Sequence, residues 1–197
     1  MKPRIISWNV RGLNKREKRL RVSNLLRDWK VDIVCLQETK LKGMYRNIVR
    51  SLWGRSHVDW CCLDSNGASG GILIMWDNRV VKVEECVGAY TLAVSFRNVV
   101  DLSIWDFAGA YGPNSDRNRR LLWDELAGVL SLWNLPCCIG GDFNVTRFSS
   151  ERSGTANLDS AMMEFSEFIF EQGLMDLPLA GVPSLGQFLM ILPCRLG

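Results

Sequence analysis

Residues Gly71–Phe96 read GILIMWDNRVVKVEECVGAYTLAVSF. The stretch holds three short apolar or alternating runs, Gly71–Trp76, Arg79–Cys86 and Tyr90–Phe96, and the turn formers Asp77-Asn78 part the first two. Runs this brief and this rich in Val, Ile and aromatic residues predict strands rather than helices. Val58–Leu63 before them, followed by Asp64-Ser65-Asn66-Gly67, and Leu102–Tyr111 after them extend the pattern into a mostly antiparallel meander. Outward from the meander the period changes. Val22, Leu25, Leu26 and Trp29 fall at i, i+3, i+4, i+7, which predicts a helix over Lys15–Trp29 with one apolar stripe. A second helix is expected around Tyr45–Leu52, a third from the stripe Leu122, Leu126, Val129, Leu130, Trp133, and a fourth over Asp159–Gln172, closed by Gly173. Arg4–Val10, Val31–Leu36 and Pro136–Gly141 read as further strands. Strands in the middle with helices toward both ends predict a sheet core covered by helices, in the α/β or α+β class.

The chain has 197 residues with a net charge of +3, 47% hydrophobic and 23% charged, a composition that argues for one globular domain and against disorder. No apolar run approaches the roughly 20 residues that span a bilayer, so no membrane is expected as partner. The opening Met1-Lys2-Pro3-Arg4-Ile5-Ile6 runs straight into a strand without a signal-peptide apolar region, which predicts an intracellular protein, nuclear or cytoplasmic and not secreted. The seven cysteines form no C-x-x-C pair and lie mostly in apolar runs; with a single histidine, His57, they fit reduced core thiols better than disulfides or a zinc site. The sequon Asn144-Val145-Thr146 then carries no meaning.

Charge is uneven. Residues 1–50 hold 14 Lys and Arg against four Asp and Glu, a local +10 that leaves −7 for the rest. Much of the excess sits in Lys15-Arg16-Glu17-Lys18-Arg19-Leu20-Arg21, a cluster able to neutralise phosphates, or else the solvated face of a helix.

Four strand ends carry oxygen ligands or amides. They are Trp8-Asn9-Val10-Arg11, Leu36-Gln37-Glu38-Thr39, Tyr111-Gly112-Pro113-Asn114 and Gly141-Asp142-Phe143-Asn144. Carboxylates at Glu38 and Asp142 with amides at Asn9, Asn114 and Asn144 form an all-oxygen set, which suits a hard cation such as Mg²⁺ that keeps waters and a substrate phosphate in its shell. The Gly67–Gly71 stretch lacks the spacing and lysine of a phosphate-binding loop and reads as a hairpin turn.

In chain order, W-N-V-R-G-L (8–13), L-Q-E-T-K (36–40), S-G-G-I (69–72), Y-G-P-N (111–114) and G-D-F-N (141–144) resemble the endonuclease/exonuclease/phosphatase superfamily. The wording is most similar to the endonuclease domain at the front of plant non-LTR retrotransposon polyproteins, over roughly residues 3–180. The resemblance implies an α+β fold, a four-layer α/β/β/α sandwich of two facing sheets like that of deoxyribonuclease and the apurinic endonucleases. It implies metal-dependent hydrolysis of a phosphoester with Mg²⁺, Mn²⁺ being the alternative, and DNA as the partner of a monomeric chain that corresponds to the front domain of a larger polyprotein. By motif, Glu38 would be the metal ligand and Asn9 a metal- or phosphate-site amide. Tyr111 and Asn114 would contact the scissile phosphate, Asp142 would orient or deprotonate the attacking water, and Asn144 would support both. Lys15, Arg16, Lys18 and Arg19, with Arg117, Arg119 and Arg120 past Asn114, would hold the flanking DNA backbone.

The chain departs from the family pattern at two places. Arg11 stands where some relatives carry an acidic residue. After Met175-Asp176-Leu177-Pro178-Leu179 the family's Thr-Trp, Arg-Leu-Asp and Ser-Asp-His motifs are absent, so residues 1–180 are expected to form an incomplete domain and 181–197 a divergent tail. The second sheet would then lack its last strands. That leaves an edge unpaired and apolar surface uncovered; the tail segment Phe188–Leu192 is apolar and β-prone, able to cover some of that surface or to promote aggregation. Lacking the histidine motif, the chain is expected to be a weakened or inactive endonuclease. The alternatives are a non-catalytic remnant that binds DNA and metal, and a phosphatase or phosphodiesterase of the same superfamily. Trp8 is expected under the site floor, Trp29, Trp53, Trp60, Trp105, Trp123 and Trp133 in packing roles, and Met162, Met163, Phe165, Phe168 and Ile169 on a helix face against a sheet.

Overall fold

The computed structural model describes residues 3–65, 70–88, 90–132, 135–148, 159–177 and 187–192. The 67–71 turn lies in large part outside these residues. So do Trp133, the expected domain boundary at 180/181, and most of the text that replaces the family's last motifs.

The first strand, β1 (Ile5–Asn9), is followed by α1 (Arg16–Asp28), β2 (Ile33–Gln37), α2 (Arg46–Trp53), β3 (Asp59–Leu63) and β4 (Ile72–Trp76). The meander continues with β5 (Val81–Gly88), β6 (Thr91–Asn98) and β7 (Ile104–Tyr111). Then come α3 (Asp116–Leu132), β8 (Cys137–Asp142), α4 (Ser160–Glu171), β9 (Met175–Asp176) and β10 (Gln187–Leu192). One sheet has the order β1-β2-β4-β3, the other β5-β6-β7-β8-β10-β9. Among the described residues only β1 with β2 and β7 with β8 pair in parallel. Each parallel pair is joined through a helix, as a crossover between parallel strands requires.

Alternation along the strands sorts the side chains into three cores. Ile33 and Cys35 of β2, Ile72, Ile74 and Trp76 of β4, Leu92, Val94 and Phe96 of β6, and Phe107 of β7 meet between the sheets. Val34, Leu36, Leu73 and Met75 point the other way, onto Val22 and Leu26 of α1 and Val49, Leu52 and Trp53 of α2. Ala93, Ala108, Ala110 and Ile139 back onto Leu122, Leu126 and Leu130 of α3 and Met162, Phe165 and Ile169 of α4. The result is the expected α/β/β/α sandwich. Cys35, Cys137 and Cys138 are buried thiols, and burial pushes Cys35 and Cys138 up to about 12.

Helix ends follow their sequence signals. The Asp159 carboxylate accepts the Met162 N–H at 2.9 Å and caps α4. Gly173, at φ +63°, closes the same helix, with Leu174 N–H bonding Ile169 O at 2.9 Å. Trp29 ends α1 at 48% exposure and packs against Trp8, ring centroids 6.2 Å apart, a packing role as expected. Two other packing expectations are corrected. Trp8 itself is half-buried on the helix side of β1, not beneath the site. Met163 faces solvent, because it lies off the Met162–Phe165–Phe168–Ile169 stripe.

The edge of β8 is not left open. β10 runs antiparallel along it from Gln187 opposite Asp142 to Leu192 opposite Cys137, and β9 pairs with β10 at Met175 and Asp176. The β-prone tail thus takes a ladder position in the second sheet and covers that edge. No helix among the described residues is long and apolar enough to cross a membrane.

Candidate active site

The C-terminal ends of β1, β2, β7 and β8 converge at one end of the sandwich, and a hydrogen bond joins the two sheets there: Asn9 Nδ2 donates to Asp142 Oδ2 at 2.5 Å. Position parity explains the encounter. Asn9 lies opposite Gln37 on the face that carries Cys35, and Asp142 follows Cys138 and Gly140 on the inner face of β8. Tyr111 likewise follows Phe107 and Gly109.

Asn9 and Asp142 end their strands in the same way. Asn9 Oδ1 accepts the Arg11 N–H at 2.9 Å and Asp142 Oδ1 accepts the Asn144 N–H at 3.1 Å. In each case the residue two positions on is left-handed, Arg11 at φ +49° and Asn144 at φ +51°. Each acidic or amide side chain thereby caps its own strand end and is held rigid. Because Asn9 Oδ1 is occupied by an N–H donor, its amide nitrogen is the group turned to Asp142. Asn144 Nδ2 donates to Gly112 O at 2.5 Å, and the Asn144 amide is hydrogen-bonded to the Tyr111 hydroxyl.

Strict alternation would send Glu38 to the helix side with Leu36. A left-handed backbone at φ +55° ends the strand instead, and the Glu38 carboxylate acts electrostatically on both Tyr111 and Asp142 across the gap. Lys40, also left-handed at φ +56°, sets its ammonium 2.8 Å from Glu38 Oε1, and that contact raises the lysine pKa. The Gly12 N–H to Glu38 O bond at 2.6 Å ties this loop to the end of β1.

Burial raises the Asp142 pKa; the Asn9 and Asn144 hydrogen bonds oppose the shift, and the facing Glu38 carboxylate adds to it. Burial, then Glu38, raises Tyr111 as well, so its hydroxyl keeps its proton and remains a donor. Phe143 pins the loop between Asp142 and Asn144. It is 1% exposed, with its ring 5.9 Å from Trp123 and 5.2 Å from Phe165.

Two carboxylates facing each other across the gap, Asp142 with its proton affinity raised by burial and in part by Glu38, suit with the amide and phenol oxygens beside them a hard cation that brings part of its own hydration shell. Gln37 adds an orphan: next to Asn9 in the register, it is fully buried, yet its Oε1 accepts no hydrogen bond among the described residues. Such an oxygen calls for a water or a hydrated ion as partner. Among the described residues no three His, Cys, Asp or Glu cluster, so protein carboxylates would fill only part of a cation's shell. The donor set fits Mg²⁺.

Other residues named from the sequence lie as follows. Asn114 and Arg117 are exposed just past Tyr111. Lys15 and Arg16 are exposed at the start of α1, beside the Arg11–Leu13 turn. Lys18 and Arg19 hold protein backbone: Lys18 Nζ donates to Arg11 O at 2.9 Å, and Arg19 Nη1 to Leu13 O at 2.8 Å and Asn14 O at 2.9 Å. Arg120 forms an ion pair with Glu164 of α4 at 2.7 Å. Arg119 is corrected outright: it is 8% exposed and its guanidinium faces the carbonyls of Pro113, Asn114 and Asn144 and the Asp116 carboxylate, not solvent. His57 lies just before β3, at the opposite end of the sandwich, within electrostatic reach of Asp77. Sequence reasoning missed Lys40 and Gln37. Both flank Glu38 within two residues, and that proximity was the available signal.

A protein-family model described as the Endonuclease/Exonuclease/phosphatase family matches residues 6–186. The chain is 26% identical over 194 residues to an exodeoxyribonuclease of Bacillus subtilis (strain 168), covering 88% of this chain and 73% of the relative. In fold it is similar to an AP endonuclease from Leishmania major, with TM-score 0.73 and 15% identity over 95% of this chain and 78% of that one. It is also similar to a 3′ phosphatase from Neisseria solved with a product DNA hairpin, with TM-score 0.71 and 16% identity over 98% of this chain and 87% of that one. A match over nearly the whole described fold, with the strand-end carboxylates and amides gathered at one mouth, makes this chain a member of the endonuclease/exonuclease/phosphatase family, whose members are hydrolytic enzymes that generally depend on a divalent metal.

Proposed function

We propose that the chain is a Mg²⁺-dependent phosphodiester hydrolase that nicks DNA, of the kind found in non-LTR retrotransposons, weakened by the absence of the family's histidine motif. The observation that carries the reading is the fixed Asp142 carboxylate, held at one oxygen by Asn9 and at the other by Asn144, facing Glu38 across the two sheets. Glu38 would hold the cation with its waters, and the bound ion would supply charge neutralisation and orient the phosphate. Asp142 would orient the attacking water and take its proton, a task its raised pKa favours over that of an ordinary carboxylate. Tyr111 would donate its retained proton as a hydrogen bond to a phosphate oxygen, and Asn114 would contact the same group from the rim. Lys15, Arg16 and Arg117 would follow the flanking backbone. Preference for DNA over small phosphoesters is supported by the local excess of +10 in the first 50 residues.

The deciding measurement is relaxation of supercoiled plasmid with MgCl₂, for wild type, Glu38→Ala and Asp142→Ala. Nicking that disappears in both variants is expected; nicking that survives in both refutes the assignment of these residues. A second reading has an observation of its own: the single histidine of the chain stands at the far end of the sandwich, so no imidazole serves the site. A non-catalytic chain would bind DNA with strong salt dependence and leave plasmid intact. Hydrolysis of a small phosphoester alone would point to the phosphatase branch.

A further inference from the structure

α3 grips the candidate site from two positions one turn apart on one face. Trp123 packs on the ring of Phe143, and Arg119, four residues earlier, places Nη1 3.2 Å from Pro113 O, 3.1 Å from Asn114 O and 3.4 Å from Asn144 O. Nη2 is held by the Asp116 carboxylate. Three carbonyls pointed at one spot repel each other unless a cation lies among them, and a guanidinium at 8% exposure is retained only where such acceptors offset its desolvation. The two loops already touch at their roots. Gly112 N–H donates to Asp142 O at 2.6 Å, and a Cβ on Gly112 would lie 2.1 Å from Phe143 O. Beyond those roots, Arg119 carries the connection out to Asn114.

We infer that Arg119 is a positioning residue: from the first turn of α3 it sets where Asn114 stands relative to Asp142 and Asn144. The inference rests on the phosphoester-hydrolase reading for its catalytic consequence, but not for its structural one. Arg119 touches no reacting atom. It acts through the backbone of the two loops, and Leu122 and Leu126 of the same helix, both fully buried, keep its base from moving.

The test pairs Arg119→Met, which removes every donor, with Arg119→Lys, which keeps a charge but not the fork. Wild type and both variants are compared by steady-state plasmid nicking with MgCl₂ and by amide hydrogen exchange. In Arg119→Met, kcat is expected to fall about 10–100-fold with KM nearly unchanged, as for a misplacement near 1 Å. Amides of residues 112–116 and 143–146 are expected to exchange faster while those of β2 and β6 hold their protection. Arg119→Lys should fall between. A methionine variant with wild-type kcat and wild-type exchange in both loops overturns the inference. So does one whose exchange rises equally in β2 and β6, since that marks a residue that only supports the fold. Should wild type hydrolyse no phosphoester, the functional reading fails by itself, and the exchange comparison still decides the part played by Arg119.

Discussion

Gly109, in the middle of β7, faces the other sheet, and a methyl group there would have nowhere to go. A Cβ at this position would lie 2.5 Å from Cys35 Sγ, 3.4 Å from Ile72 Cγ2 and 3.5 Å from Ile74 Cδ1. Ordinary contact distances are about 3.5–4.0 Å, so β2 and β7 must part by about 1 Å in a Gly109→Ala protein. Overpacking of this size costs about 1–3 kcal/mol, which for a chain of this length lowers the Tm by roughly 2–12 °C. The same parting spreads the site, because Tyr111 follows Gly109 by two residues and Glu38 follows Cys35 by three. A shift of about 1 Å at reacting groups can cost up to about 100-fold in rate. Cys35→Ala removes the obstructing sulfur, so the double variant should recover both stability and nicking, with a favourable coupling of about 1 kcal/mol or more in a double-mutant cycle. Urea unfolding and plasmid nicking on the four proteins supply the measurements. Gly109→Ala as stable as wild type, or a double variant whose losses merely add, would refute the claim that the sheets are held at contact distance beneath the site.

Trp123→Ala empties the centre of the Phe143–Phe165–Phe168 cluster and should cost about 3–5 kcal/mol by urea unfolding, with Asn144 loop amides among the first to lose exchange protection. Asp77, 2% exposed, accepts from the Arg79 backbone N–H and twice from its guanidinium, and those bonds hold its pKa below the ordinary 3.8. Its contribution is therefore present above pH 3.8 and lost as pH falls through the lower folded value; Asp77→Ala should lower stability by about 1–3 kcal/mol at pH 7 and by progressively less in acid. Lys15→Ala and Arg16→Ala should each reduce the slope of log K for DNA against log salt by about 1, with the Tm unchanged, since both side chains are exposed. A slope unaltered in both would remove α1 from the DNA path.

Much of the sandwich was legible in local pattern. The meander of Gly71–Tyr111 reads as strands because alternation has period two, and the stripe through Leu122, Leu126, Val129 and Leu130 reads as a helix because the residues recur at helical spacing. Phe188–Leu192 was recognisable as β-prone, but its partner was not, since pairing with β8 is a non-local event. Arg119 misled for a related reason. Charge in a basic run suggests solvent, and only the fold brings three backbone carbonyls and a neighbouring carboxylate to the same guanidinium.

From the amino-acid order alone come the two periodicities, the four helices and the oxygen-bearing strand ends at Asn9, Glu38, Tyr111, Asn114, Asp142 and Asn144, all of them properties of neighbours within a few residues. Tertiary structure alone decided that β1 and β8, from different sheets, meet through Asn9 and Asp142, that left-handed turns at Glu38 and Asn144 redirect the chain there, and that Lys40 stands against Glu38. Local sequence sets which way a side chain leans from its strand; which strand it then faces depends on how two sheets pack, a sum over many weak contacts that no single segment contains.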